Sequence, residues 1–142
     1  MKEQVRFYEK KVRIEDLYET IREFKVRGFS YFLFMTCVDW YPRNYFEVVY
    51  ALRNLKTGEN VKLKVKLPRE NAVLPSVAEE FPLALYQERE LGEMFGIRFV
   101  NHPDGDKLEN VILEDWKYDP PMRRDFDTAE FARHLFGERK YD

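Results

Sequence analysis

FSYFLFMTCVDWYPRNYFEVVYALRNLKTGENVKLKVKL, residues 29–67, holds three strand signals in succession. Its opening run, Phe29 to Val38, is almost entirely apolar or aromatic and stops at Asp39, Trp40, Tyr41 and Pro42. A run of this length, rich in aromatic residues, predicts a central strand covered on both faces. Arg43 and Asn44 turn the chain, and Phe46 to Leu52 follows as a second strand. Lys56, Thr57 and Gly58 predict a hairpin, because glycine supplies the positive φ such turns need. Val61, Leu63, Val65 and Leu67 then alternate with Lys62, Lys64 and Lys66, the period of a strand with one apolar and one charged face. Lysines on an exposed strand guard against edge-to-edge pairing, a reading that competes with a nucleic-acid stripe.

Toward the N-terminus, residues 4–8 are a short first strand or a loose arm. Ile14, Leu17, Ile21 and Phe24 follow a helical period that Gly28 closes. On the other side of the strands the reading turns helical after Pro68. Ser76 and Glu79 have capping-box spacing, and Pro82 ends a first short helix and starts the next. That next helix carries ERELGEMFGI, Glu88 to Ile97, with Leu91, Met94 and Phe95 on one face and Gly96 ending it as a left-handed residue. Ile97, Arg98 and Phe99 alternate like a short strand. Asp127 and Glu130 repeat the capping-box spacing and open a last helix through Phe131 and Leu135 to Gly137. The order predicts an α+β fold: a mostly antiparallel sheet with helices packed on one face and an extended C-terminal tail. Residues 1–114 are expected to form a single domain, and 115–142 the tail with its short terminal helix. The chain shows neither an internal repeat nor a low-complexity segment.

Composition narrows the function classes. The 142 residues include 12 Phe, 9 Tyr and 2 Trp, enough for one core with aromatic residues left for a partner surface. Residues 1–70 hold 15 Lys and Arg against 10 Asp and Glu, whereas residues 71–142 hold 9 against 16. Such polarity favours oriented docking between charged neighbours over coating of nucleic acid. A single cysteine, Cys37, makes no internal disulfide and cannot alone hold an iron-sulfur cluster or a structural zinc; within an apolar run it is expected to be buried and inert. No apolar stretch is long enough to span a bilayer and the N-terminus lacks an apolar signal core, so a soluble, cytoplasmic protein is expected.

Glu88 borders the apolar stripe of its helix. An unpaired carboxylate there would cost several kcal/mol, so a cation is expected beside it, and Arg123 and Arg124 are the candidates. Glu88 and Glu90 point about 200° apart on a helix and cannot converge on one substrate, whereas Arg89 and Glu93 are spaced to pair on its surface. His102 with Asp104, Asp106 and Glu109 is the one histidine–carboxylate cluster, but its spacing matches neither a calcium loop nor a zinc helix. His134 is expected to be solvated or to face a partner. There is no phosphate loop and no nucleophile elbow, so no independent catalytic site is expected. Trp116, the Pro120–Pro121 pair and the arginines that follow have the composition of an interface anchor or of a strap over the chain's own core.

The words of this segment, in order, resemble the 30 kDa subunit family of respiratory complex I (NADH:quinone oxidoreductase) and its counterparts in energy-converting membrane-bound nickel-iron hydrogenases. The resemblance rests on Glu88-Arg89-Glu90, Glu93, Phe95-Gly96-Ile97, His102-Pro103-Asp104, Glu114-Asp115-Trp116 and Pro121-Met122-Arg123-Arg124-Asp125-Phe126, about forty residues in all. Two departures are an insertion from Gly105 to Asn110 and Asn101 in place of the more usual glycine. The resemblance implies a non-catalytic scaffold subunit without a cofactor of its own, in the hydrophilic arm of a membrane oxidoreductase. Its partners would be a hydrogenase-like large subunit and an iron-sulfur small subunit, with the membrane reached only through the complex and no nucleic acid bound. Partner-binding residues would be Glu88, Arg89, Glu90, Glu93, Phe95, His102, Pro103, Asp104, Asp115, Trp116, Pro120, Pro121, Arg123, Arg124, Asp125 and Phe126. The competing readings are a stand-alone metal-dependent enzyme built on the His102 cluster and a nucleic-acid-binding module using Lys62 to Lys66.

Overall fold

Phe46, Val48, Tyr50 and Leu52 face one way along a single strand, and all four are fully buried. The rest of the chain is built on that strand. The computed structural model describes residues 7–103 and 119–136, the side chains of 134–136 excepted. A four-stranded sheet comprises β1 (Phe7–Val12), β2 (Tyr31–Trp40), β3 (Tyr45–Arg53) and β4 (Asn60–Pro68) in the order β1-β4-β3-β2. The β2–β3 and β3–β4 pairs are antiparallel and β1 runs parallel to β4. Helices α1 (Leu17–Val26) and α2 (Ala84–Phe95) pack on the face that carries Phe46 and Tyr50, and the fold is α+β with a mostly antiparallel sheet. A second, two-stranded parallel sheet joins β5 (Val73–Pro75) to β6 (Arg98–Val100), and α3 spans Thr128–Phe136.

Local chemistry explains the joints. Helix α1 buries Leu17, Thr20, Ile21 and Phe24 and ends in a two-bond glycine cap. Phe29 N–H donates to the Phe24 carbonyl at 2.9 Å and Gly28 N–H to that of Lys25 at 3.1 Å, with Gly28 at φ 106°. The Phe24 and Phe29 rings meet edge to face at 5.3 Å and close the cap from the apolar side. In the β3–β4 hairpin Asn54 organises the turn: its Oδ1 accepts the Lys56 and Thr57 N–H groups, its carbonyl accepts Gly58 N–H, and Gly58 has φ 75°.

Four expectations are corrected. Strand β2 is an edge strand, not a central one, and only one of its faces is covered: Phe32, Met35, Cys37 and Asp39 are buried while Tyr31, Phe34, Val38 and Trp40 are exposed. A register shift between Phe32 and Phe34 breaks its ladder, and Gln87 Oε1 of α2 accepts Met35 N–H at 2.6 Å. The lysines of β4 do not guard an edge, because β4 lies inside the sheet; Lys62 sits over the Phe7 ring, Lys64 pairs with Glu9 and Lys66 sits over the Tyr45 ring. No helix forms between Ser76 and Pro82; the segment is a turn, and Val73–Pro75 before it is a strand. Strand β1 runs on to Val12, past the stretch expected, and residues 4–6 lie outside the described residues. The 114/115 boundary also falls outside them, as does Gly137.

Cys37 is buried, and burial, reinforced by the charge of Asp39 and opposed by that of Arg123, pushes its thiol up to about 12. Among the described residues no helix is long and apolar enough to cross a membrane.

Candidate functional site

Two polar clusters, both organised by α2 and the segment 119–127, gather most of the described motif residues. The first lies where β2 and β4 end. Asp39 falls in phase with Met35 and Cys37, so the strand turns its carboxylate inward; its side chain is 2% exposed. Arg69, one residue past β4, answers it with a fork: Nε to Oδ1 at 2.8 Å and Nη2 to Oδ2 at 3.1 Å. The same Nη2 donates to Asp125 Oδ1 at 2.6 Å. Arg123 Nη2 donates to the Arg69 carbonyl at 2.7 Å, and Arg124 N–H donates to Asp39 Oδ2 at 2.9 Å. The guanidinium of Arg69 lies over the rings of Tyr41 and Phe46, and that of Arg123 also covers Phe46. Segment 119–127 is thereby strapped across the sheet end, and Met122 N–H completes the hold by donating to the Met94 carbonyl of α2 at 2.9 Å. Pro120 packs over Gly96, whose φ of 78° and missing side chain leave the room. Beside the strap an open cleft of about 840 Å³ is lined by Arg69, Arg98, Arg123, Asn71 and Asp125 among others.

The second cluster is buried under α2. Glu88 is fully buried, as its place in the stripe predicts. Its partners are not arginines: Ser76 Oγ donates to Oε2 at 2.6 Å and Val77 N–H to Oε1 at 2.8 Å. His102, also buried, brings Nε2 to 3.6 Å from Glu88 Oε2 and 3.3 Å from the Leu85 carbonyl oxygen. The expectation that Arg123 or Arg124 neutralises Glu88 is corrected; Arg123 serves Arg69 and Phe46, and Arg124 is exposed. Burial pushes the Glu88 carboxyl up to about 7, against the hydrogen bonds from Ser76 and Val77 that favour its charged form. The Tyr50 hydroxyl, raised well above its ordinary value by burial and then by the Glu88 charge, has no hydrogen-bond partner among the described residues.

The remaining motif residues do not converge. Phe95 is buried edge to face with Phe46 at 5.8 Å. Arg89 and Glu93 are half-buried and Glu90 is exposed on α2, while Pro103 is exposed just after His102. Pro120, Pro121 and Phe126 are half-buried along the strap, and Phe126 meets the Phe131 ring at 5.6 Å. Asp104, Asp106, Glu109, Glu114, Asp115, Trp116 and the His134 side chain lie outside the described residues. Among the described residues there is no group of three or more His, Cys, Asp or Glu side chains able to hold a metal ion. Sequence reasoning missed Asp39, Arg69 and Ser76. The strand phase of Asp39 was the available signal, since a lone acid in step with Met35 and Cys37 requires a buried cation.

Comparison with known proteins bears on this arrangement. The sequence profile of the respiratory-chain NADH dehydrogenase 30 kDa subunit matches residues 8–132. The chain belongs to that family. Among 30 kDa relatives, the one from the NADH-quinone oxidoreductase of Moorella thermoacetica is 33% identical over 100 residues, 70% of this chain and 66% of that protein. The chain spans about half to two-thirds of the length of the curated relatives it matches. A trypsin-resistant fragment of Nqo5 superposes with a TM-score of 0.62 at 30% identity, over 68% of this chain and 81% of the fragment. A chain from an archaeal membrane-bound sulfane sulfur reductase superposes with a TM-score of 0.86 over 99% of this chain and 84% of its own length; at 24% identity that likeness speaks to the 30 kDa fold alone.

Proposed function

We propose that this chain is a non-catalytic structural subunit of the hydrophilic arm of a complex I-like membrane oxidoreductase, of the NADH:quinone or membrane-bound hydrogenase type. Electron transfer belongs to its partners, a hydrogenase-like large subunit and an iron-sulfur small subunit, and the chain meets the membrane only through them. The observation that carries this reading is the family match over residues 8–132. The described polar clusters support it, because their groups are engaged in holding the strap and α2 rather than aimed together at a substrate.

The strap is the proposed contact with the large subunit. Its inner side is held by Arg69, while Met122 and Arg124 are exposed. Arginine holds a partner carboxylate in a two-point geometry that lysine cannot copy. Co-purification of Arg124→Ala with the parent complex tests the assignment. Weakened association with an unchanged melting curve is expected; full retention of the variant in high salt would move the contact elsewhere.

A further inference from the structure

The side of the sheet turned away from α1 and α2 divides into two halves. On β2 the outward positions Tyr31, Phe34, Thr36, Val38 and Trp40 carry no charge, and all five are exposed, Trp40 to 39%. Two strands away the register brings Lys62, Lys64 and Lys66 to the same side, with Lys11 on β1 beside Lys64. With Arg53 these make five cations on this face, against the carboxylates of Glu9 and Glu47. A hollow of about 370 Å³ opens at the basic end between Lys11, Lys64, Lys66 and Glu47. Between the halves Val49 and Ala51 are already buried, so the face is continuous and not a scatter of single apolar residues.

We propose that this face is a second docking surface, separate from the strap, for a protein partner that presents an apolar ridge bordered by carboxylates. The ridge lies along β2 and the carboxylates meet the β4 lysines. Four strands about 4.8 Å apart and about 30 Å long offer roughly 500 Å², which approaches the ~800 Å² each partner gives to a standard interface. An apolar centre with a charged border is also the anatomy of such interfaces. A second copy of this chain is disfavoured, since a face with an excess of cations would meet its own charges. Nucleic acid is disfavoured too. The lysines are already engaged with Phe7, Glu9 and Tyr45, and Glu9 and Glu47 interrupt the row that a phosphate backbone would follow.

The test compares lysine acetylation of the chain within its native complex and of the isolated chain, and adds zero-length carbodiimide coupling on the complex. Lys64 and Lys66 are expected to lose reactivity several-fold in the complex while Lys56, in the hairpin turn, does not; coupling joins Lys64 or Lys66 to an Asp or Glu of another subunit. Phe34→Asp with Val38→Asp, both at exposed positions, restores lysine reactivity in the complex. Equal reactivity in both states, coupling to another copy of this chain, or protection that nuclease removes would each overturn the inference. The inference rests on membership of a complex but not on the strap contact: a complex that retains the chain with fully reactive lysines sinks this face alone, whereas Arg124→Ala reports on the strap.

Discussion

Arg69 Nη2 and Asp125 Oδ1 stand 2.6 Å apart although 56 positions separate them in the chain, and the same guanidinium nitrogen also reaches Asp39. One buried arginine thus closes the end of the sheet and fixes the strap. Its two carboxylates differ in kind: the Asp39 side chain is 2% exposed and that of Asp125 39%.

Replacing Arg69 with Met leaves Asp39 buried without its fork. Breaking a buried pair from one side costs about 3–5 kcal/mol, and urea denaturation should register a loss of that order. Asp125→Asn, at an exposed carboxylate, should cost far less and act on the strap. A loss for Arg69→Met no larger than that for Asp125→Asn would contradict the assignment.

The hydrogen bond from Arg69, opposed in part by burial, holds the Asp125 carboxyl below its ordinary value. A depressed carboxylate contributes stability above its unfolded value near 3.8, lost as the pH falls through the folded value. The strap should therefore loosen in acid before the sheet unfolds. Amide exchange at Met122 and Arg124, followed from pH 6 downward, is expected to rise in the wild type and to be fast at every pH in Asp125→Asn.

Glu88 runs the other way. Burial raises it to about 7 from an unfolded value near 4.5, so its contribution is fully present below the lower value and fades as the pH rises through the higher one. Relative to Glu88→Gln, which keeps the shape and stays neutral, the wild type should lose on the order of 3 kcal/mol between these limits and nothing further above them. Denaturation of both proteins at pH 5 and pH 8 measures the difference; parallel pH profiles would mean that Glu88 is as well solvated in the fold as in the unfolded chain.

Gly28 carries the end of α1. A side chain there would sit 2.8 Å from Asn54 Nδ2 at a φ of 106°, so both strain and overlap oppose it. Gly28→Ala is expected to cost more than the ~1 kcal/mol that a compatible glycine-to-alanine change is worth, and to lower the melting temperature by several degrees. An unchanged melting curve would show that the cap and the hairpin turn can shift together.

Much of this was legible in the sequence, and the failures have physical causes. Strands β3 and β4 announce themselves because their outward positions hold Lys62, Lys64 and Glu47, which contrast with the buried set. Strand β2 hides its alternation because its outward positions are Tyr31, Phe34, Val38 and Trp40, so an edge strand with an apolar outer face looks like a central one. Helical phase predicts that Glu88 is buried but not by what it is satisfied; its donors lie on Ser76 and Val77, in a turn whose capping-box spacing suggested a helix instead. The three residues of β5 are too few to show a period. Family resemblance located α2 and the strap, whereas Arg69, outside the motif words, is what joins them to the sheet.

The central claim is that the chain is a scaffold subunit whose partners carry the redox chemistry, and its most direct test is the composition of the particle it purifies with. A tagged full-length chain is extracted from native membranes in mild detergent, and iron, sulfide and flavin are assayed in the particle and again in the chain after dissociation. The account predicts a multi-subunit particle that contains iron and sulfide, and a released chain that is colourless and holds none in stoichiometric amount. A chain that elutes alone from the extract, or that keeps stoichiometric iron with sulfide or a flavin after release, would contradict it.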